Sequence, residues 1–402
     1  MTIKNTIDVR NHNRYLVFKS IQKQGLSSIS ALTKEIDLSH TAVKNSINDL
    51  MKSNLISRVG AGPSMGGRPP ELFSTNLDKT FLIGVQIKKT HISASLVNLA
   101  GEILAIKERN IEGHDPESLV ECIGGLVAAI KKEHSLEDRG IFAIGVAVLG
   151  IVDRKKSIVF DATFKWERVP FQQMLEQRMN HFVSIIEESK AGALGEYEWG
   201  KGRMFRSFVF LHFTDGIGAG YIEDGHLAEG ANGSLGEVGH MSIDKNGPRC
   251  YCGNTGCWEL YASVKNLIAK LCKRKNDPDL DLPGIRHLIE EGDLETLEEF
   301  DTFCYNHSIG ITNIINIFDP QAVFIAGDIS VLGQSYLSRI VDSVSKRALP
   351  SHLEKCSIQF SGLPEPHPSL LGAASFALKN RLLSRDSLWQ QRMKYTEGTE
   401  AV

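Results

Sequence analysis

One imidazole and three thiols lie within eighteen residues: His240, Cys250, Cys252 and Cys257. A Cys₃His set is the ligand complement of a closed, tetrahedral zinc site, so the metal it predicts is structural. Gly247, Pro248, Gly253 and Gly256 allow the tight turns that bring four ligands to one ion. The competing readings are a redox dithiol and unrelated buried thiols. A redox pair is usually Cys-x-x-Cys at a helix start, whereas Cys250 and Cys252 have one residue between them.

A chain of 402 residues has room for two or three domains. Its apolar and charged fractions are those of a soluble globular protein. No apolar run is long enough to span a bilayer, and MTIKNTIDVR lacks the apolar core of a signal peptide, so no membrane role is expected. Seven cysteines, thinly spread outside the cluster, argue against a disulfide framework and for a cytoplasmic location. Charge is uneven: residues 1–76 hold ten Lys/Arg against five Asp/Glu, whereas the remainder holds 35 against 43. A small basic module on an acidic body points to an anionic partner for the module alone.

That module reads as three short helices and a hairpin. Tyr15, Leu16, Phe18 and Ile21 form a helical stripe that stops at Gly25. Ser28 or Ser30 can cap a second helix, Asp37-Leu38 makes a turn, and Ser39 caps a third helix with Val43, Ile47, Leu50 and Met51 on one face. This is a helix-turn-helix pattern, and the opposite face of the third helix shows His40, Thr41, Lys44, Asn45 and Asn48, side chains suited to bases and phosphates. Residues 55–59 alternate like a strand, 60–70 form a loop, and 71–73 return, which predicts a wing carrying Arg68 near its tip. A helical protein-interaction module is the plainer alternative. Double-stranded DNA is the expected partner of Ser39, His40, Thr41, Lys44, Asn45, Asn48 and Arg68.

From Phe81 onward strands and helices alternate, which implies α/β sheets. Residues 81–87 and 91–97 pattern as a hairpin, with later strands at 142–149, 208–213 and 322–326. The glycine-dense stretch 214–220 could cradle phosphates, although glycine turns without phosphate are as common.

Gly236-Glu237-Val238-Gly239-His240 followed by Cys250-Tyr251-Cys252-Gly253-Asn254-Thr255-Gly256-Cys257-Trp258-Glu259 closely resembles the signature of the ROK family, which groups transcriptional repressors with sugar kinases. The glycine stretch, Gly230-Ala231-Asn232-Gly233, the segment 145–153 and Leu371-Gly372-Ala373-Ala374 match as well, so the resemblance covers about residues 78–380. The module with Gly66-Gly67-Arg68-Pro69-Pro70 is similar to the N-terminus of NagC/XylR-type repressors. The resemblance implies a winged helix-turn-helix over 1–76, a two-lobed actin-like ATPase fold over 77–382 and a tail over 383–402 that carries no motif. It also implies a sugar bound between the lobes, with Glu237, His240 and Glu259 retained as its ligands and Asn232 beside them. His240 would give one ring nitrogen to zinc and the other to the ligand.

Two departures from the family pattern bear on catalysis. Where its kinases carry an Asp-x-Gly-Gly-Thr loop against ATP phosphates, this chain has Gln86-Ile87-Lys88-Lys89-Thr90. Side chains stand where backbone N–H groups must approach phosphate. Registering on Ala193-Leu194-Gly195-Glu196 places Ile186-Glu187-Glu188 where the kinases have Glu-Asn-Asp, so the general base becomes the longer Glu188 and the sugar-binding amide becomes Glu187. In this register Glu187, Glu188, Glu237 and Glu259 converge on one pocket opposite Lys88 and Lys89. Such a pocket favours a neutral or amine-bearing sugar over a sugar acid.

Three functions compete: a repressor of carbohydrate-utilisation genes controlled by a sugar in the cleft, a sugar kinase with a DNA-binding appendage, and a zinc-stabilised interaction protein with a vestigial pocket. The damaged loop and altered base favour the first, with no enzymatic activity. Reading enough base pairs requires a homodimer or tetramer, because one recognition helix spans too few.

Overall fold

The computed structural model describes residues 6–62, 69–136, 140–153, 158–161 and 164–384. Arg68 and the tail from 385 onward lie outside these residues.

The N-terminal module is a winged helix-turn-helix. Its first helix, Thr6–Gln24, stops at Gly25 in the left-handed region. It begins well before the apolar stripe at Tyr15 because its polar residues Asp8, Asn11 and Arg14 are themselves buried. Ser28 caps the short helix Ile29–Glu35, and Ser39 caps the recognition helix His40–Lys52 by accepting from the Ala42 amide at 3.2 Å. Strands Ile56–Ala61 and Glu71–Thr75 pair antiparallel as the wing, and a third, two-residue strand, Ser27–Ser28, joins its edge. That third strand is too short to carry a sequence pattern.

Two five-stranded sheets build the lobes of the body. The first runs in the spatial order Val183–Glu187, Ile141–Val148, Phe81–Ile87, His91–Asn98, Ile103–Asn110. Its first three strands are parallel and the last three antiparallel. Phe81–Ile87 and Ile141–Val148 are buried at every position, as central strands covered on both faces must be. The second sheet follows the order His226–Leu227, Ile217–Glu223, Phe208–Phe213, Ala322–Gly327, Ser357–Phe360. The glycine-dense stretch is therefore a turn followed by a strand, and Gly218 and Gly220 face Ser189 and Ala193 of the helix Glu188–Trp199.

A closing helix, His367–Leu383, locks the first lobe. A β-carbon at Gly145 would lie 1.8 Å from the Ala373 carbonyl oxygen, and one at Gly372 would lie 1.7 Å from that of Ala191. Only glycine permits this backbone contact, which explains the Leu371-Gly372-Ala373-Ala374 run. Leu378 and Leu382 of the same helix share one apolar core with Val17, Phe18 and Ile21 of the first helix and with Val43, Ile47 and Leu50 of the recognition helix. The boundary drawn after residue 76 falls in a turn, yet the core runs across it. Among the described residues, no helix is long and apolar enough to cross a membrane.

Candidate functional site

On the recognition helix, Val43, Ile47, Leu50 and also Ser46 and Asp49 face inward. Ser39, His40, Thr41, Lys44, Asn45 and Asn48 are all exposed, on the outward face of the helix or at its cap. Arg10 of the first helix grips Asp49 with two bonds, Nε to Oδ2 at 2.8 Å and Nη2 to Oδ1 at 2.6 Å. Sequence reasoning missed this pair, since a carboxylate on the apolar face of an amphipathic helix shows its partner only after folding.

The donor atoms of His240, Cys250, Cys252 and Cys257 all lie within 4.8 Å of one another. The Cys252 and Cys257 sulfurs are 3.7 Å apart, and the Cys250 sulfur is 3.7 Å from His240 Nδ1. A tetrahedron with Zn–S of about 2.3 Å has an edge of roughly 3.75 Å, so the spacing fits zinc. Trp258 follows the last thiol and is fully buried, its indole N–H donating to the Asn306 carbonyl, which anchors the loop in the second lobe. The second nitrogen of His240, Nε2, meets the Tyr251 hydroxyl at 3.3 Å, where the sequence predicted a ligand.

The expected convergence of four carboxylates divides into two groups. Glu187, Glu237 and Glu259 belong to one. Glu237 remains solvent-accessible at the cleft wall, and partial desolvation, then Glu187 and Glu259, push its carboxyl up to about 7 against the pull of Lys190. Glu187 is partly consumed as a helix cap, accepting from the Ser189 and Lys190 amides at 2.7 and 3.1 Å. Glu259 Oε1 is 3.3 Å from both His240 Nδ1 and the Cys250 sulfur, so it leans on the metal cluster. Asn232 is exposed on the neighbouring loop, whose Gly233 carbonyl accepts from the buried Lys190 ammonium.

Glu188 departs from that group. It is buried, accepts from Gln86 Nε2 at 2.5 Å and lies 3.6 Å from His212 Nδ1. Burial raises its pKa, with His212 and Lys88 opposing. Beyond His212 comes Glu365, 3.5 Å from Nε2, and Lys88 pairs with Asp328 at 3.5 Å. Lys88 thus turns to the opposite lobe, and Lys89 is exposed. His212, Glu365, Asp328 and Lys190 carry no local sequence signal, because each acquires its partners from distant segments.

Residues 82–380 match the family model described as ROK family. Over 383 residues the chain is 32% identical to the xylose repressor of Bacillus spizizenii, covering 95% of this chain and 99% of that one. It is 25% identical over 395 residues to the DNA-binding transcriptional dual regulator NagC of Escherichia coli, covering 96% of each. A crystal structure of a ROK family transcriptional regulator, a homologue of the E. coli Mlc protein, shares the fold with a TM-score of 0.83 at 21% identity, covering 96% of this chain and 99% of that one. A ROK family glucokinase from Streptomyces griseus, in complex with glucose and AMPPNP, matches 74% of this chain and 99% of its own, with a TM-score of 0.67 at 26% identity. With a family model spanning most of its length and a relative 32% identical across nearly all of both chains, this protein belongs to the ROK family.

Proposed function

We propose that this protein is a transcriptional repressor of carbohydrate-utilisation genes, whose operator affinity is set by a sugar bound in the cleft of a ROK domain that does not transfer phosphate. The observation that carries the reading is the recognition helix: His40, Thr41, Lys44, Asn45 and Asn48 face solvent beside a docked wing, on a module that shares its core with the sugar-kinase-like body. The relatives of this length that are 30–32% identical are named xylose repressors, which makes a neutral pentose the first effector to test.

His240, Cys250, Cys252 and Cys257 would hold a structural zinc, which supplies no chemistry beyond fixing the His240 ring and the loop around it. Glu237, Glu259, Asn232 and the capping Glu187 form the side of the cleft that offers acceptors to sugar hydroxyls. Against the kinase reading stand Gln86, whose amide binds the would-be base Glu188, and Lys88, whose ammonium pairs across the cleft.

Calorimetric titration with D-xylose, D-glucose, N-acetylglucosamine and D-gluconate, with and without operator duplex, tests this reading. A neutral sugar is expected to bind and to change operator affinity, and gluconate is expected to do neither. Phosphorylation of any of these sugars by ATP that Glu188→Ala abolishes would establish the kinase instead.

A further inference from the structure

The charged groups on the side of the cleft away from the metal cluster belong to both lobes. Lys88 and Glu188 come from the first, at the turn after Phe81–Ile87 and at the start of the helix Glu188–Trp199. His212, Asp328 and Glu365 come from the second, at the ends of its two central strands and on the segment leading to the closing helix. The signs alternate across the gap. Lys88 faces Asp328 and Glu365, and Glu188 faces His212, which Glu365 backs on its other nitrogen. Glu188 and His212 are almost wholly buried, so their attraction is little screened by salt. Glu365 is also tied to its own lobe, accepting from the Gly327 amide at 2.8 Å.

We propose that Lys88 and Glu188 on one lobe and His212, Asp328 and Glu365 on the other form a built-in latch that holds the lobes together without any bound nucleotide, and that the closing helix carries the state of this latch to the DNA-binding module. In a two-lobed kinase-like fold the cleft closes on a ligand that both lobes grip. Here side chains of the chain itself bridge the lobes.

The route to DNA is one rigid element. The closing helix starts two residues after Glu365, and its Ser369 hydroxyl donates to the Glu188 carbonyl at 3.5 Å. Its 17 residues span about 25 Å. At the far end its last carbonyls are taken by the first helix: Arg14 donates to Leu382, and Asn11 Nδ2 donates to Ser384 at 2.8 Å. Lys19 to Glu198 at 2.6 Å, and Gln22 to the Leu99 carbonyl at 2.7 Å, fasten the same helix to the first lobe. The first helix in turn grips the recognition helix through Arg10 and Asp49. A change in lobe angle that shifts the segment at Glu365 moves one end of a strut whose other end seats the DNA module.

The latch itself is tested without DNA or sugar, so its failure is separable from failure of the repressor reading. Full-length wild type, Asp328→Asn, Lys88→Glu and the charge swap Lys88→Glu/Asp328→Lys are compared by small-angle scattering and hydrogen exchange. Asp328 is about half exposed, so Asp328→Asn reports even where Lys88→Glu fails to fold. Both single variants should have a larger radius of gyration, with amides of residues 88–91 and 328–332 exchanging about fivefold faster. The swap should restore both. Single variants that fold and stay as compact and as protected as wild type would overturn the latch. The coupling to DNA rests on the proposed function and is read from operator affinity: Asp328→Asn should change it by about fivefold or more without sugar, and Asn11→Ala should abolish that difference. An opened cleft with unchanged operator affinity would leave the latch standing and overturn the strut.

Discussion

Arg10 and Asp49 form a two-pronged ion pair between the first helix and the recognition helix, with bonds of 2.8 and 2.6 Å. The Asp49 side chain is nearly buried while that of Arg10 is 60% exposed, so the two partners are not equivalent. Removing the cation leaves a desolvated carboxylate without its two-pronged partner and with Arg14 as the remaining nearby cation, which costs more than an exposed ion pair contributes. Arg10→Ala should therefore lower stability by about 1–3 kcal/mol in urea denaturation and weaken operator binding. Arg10→Lys, which keeps charge but not the fork, should recover part of both. An Arg10→Ala protein that matches wild type in both assays would show that the pair is incidental.

The outward face of the recognition helix separates positioning from reading. Lys44→Ala should weaken binding to all duplexes and flatten the salt dependence by about one unit of slope. Asn45→Ala should instead relax sequence preference, at about 1–3 kcal/mol for the lost base contact. Fluorescence anisotropy on cognate and scrambled duplexes, over a salt series, distinguishes them. Equal wild-type affinity for both duplexes at physiological salt would remove the DNA-reading assignment.

Metal analysis should find about one zinc per chain, with a Zn–S distance of about 2.3 Å by X-ray absorption. In the metal-free protein burial pushes the Cys250 thiol up to about 12, so zinc must displace protons to bind there. Zinc uptake should therefore acidify a weakly buffered solution, and zinc affinity should fall as pH falls. Cys257→Ser should lose metal and melt earlier. Full zinc occupancy in that variant would contradict the ligand set.

His212 gives stability a defined dependence on pH. Burial alone would lower its pKa, but Glu188 and Glu365 outweigh this and Lys88 opposes them only in part, so the imidazole is raised to about 9. A folded pKa above the unfolded value of about 6.5 means the contribution is complete below pH ~6.5 and is lost as pH rises through about 9. Unfolding free energy should fall by about 1–3 kcal/mol over that window, and His212→Gln should flatten the slope. A slope of the opposite sign would refute the charged imidazole.

What the sequence determined by itself is local. His240, Cys250, Cys252 and Cys257 are close in the chain, and His40 through Asn48 follow Ser39 on one helix, so spacing alone anticipated the cluster of four donor atoms and the exposed face of that helix. The apolar runs at 81–87 and 208–213 marked strands for the same reason, and their central place in the sheets came only with the fold. The tertiary structure decided everything that joins distant segments. Gln86 and Glu188 are 102 residues apart and Arg10 and Asp49 are 39 apart, and no period in the chain encodes either pairing. Glu187 and Glu188 are neighbours with the same chemistry, yet one caps a helix in the cleft and the other is buried against His212. A carboxylate's role depends on the charges and the solvent around it, and those are supplied only when both lobes have folded and met.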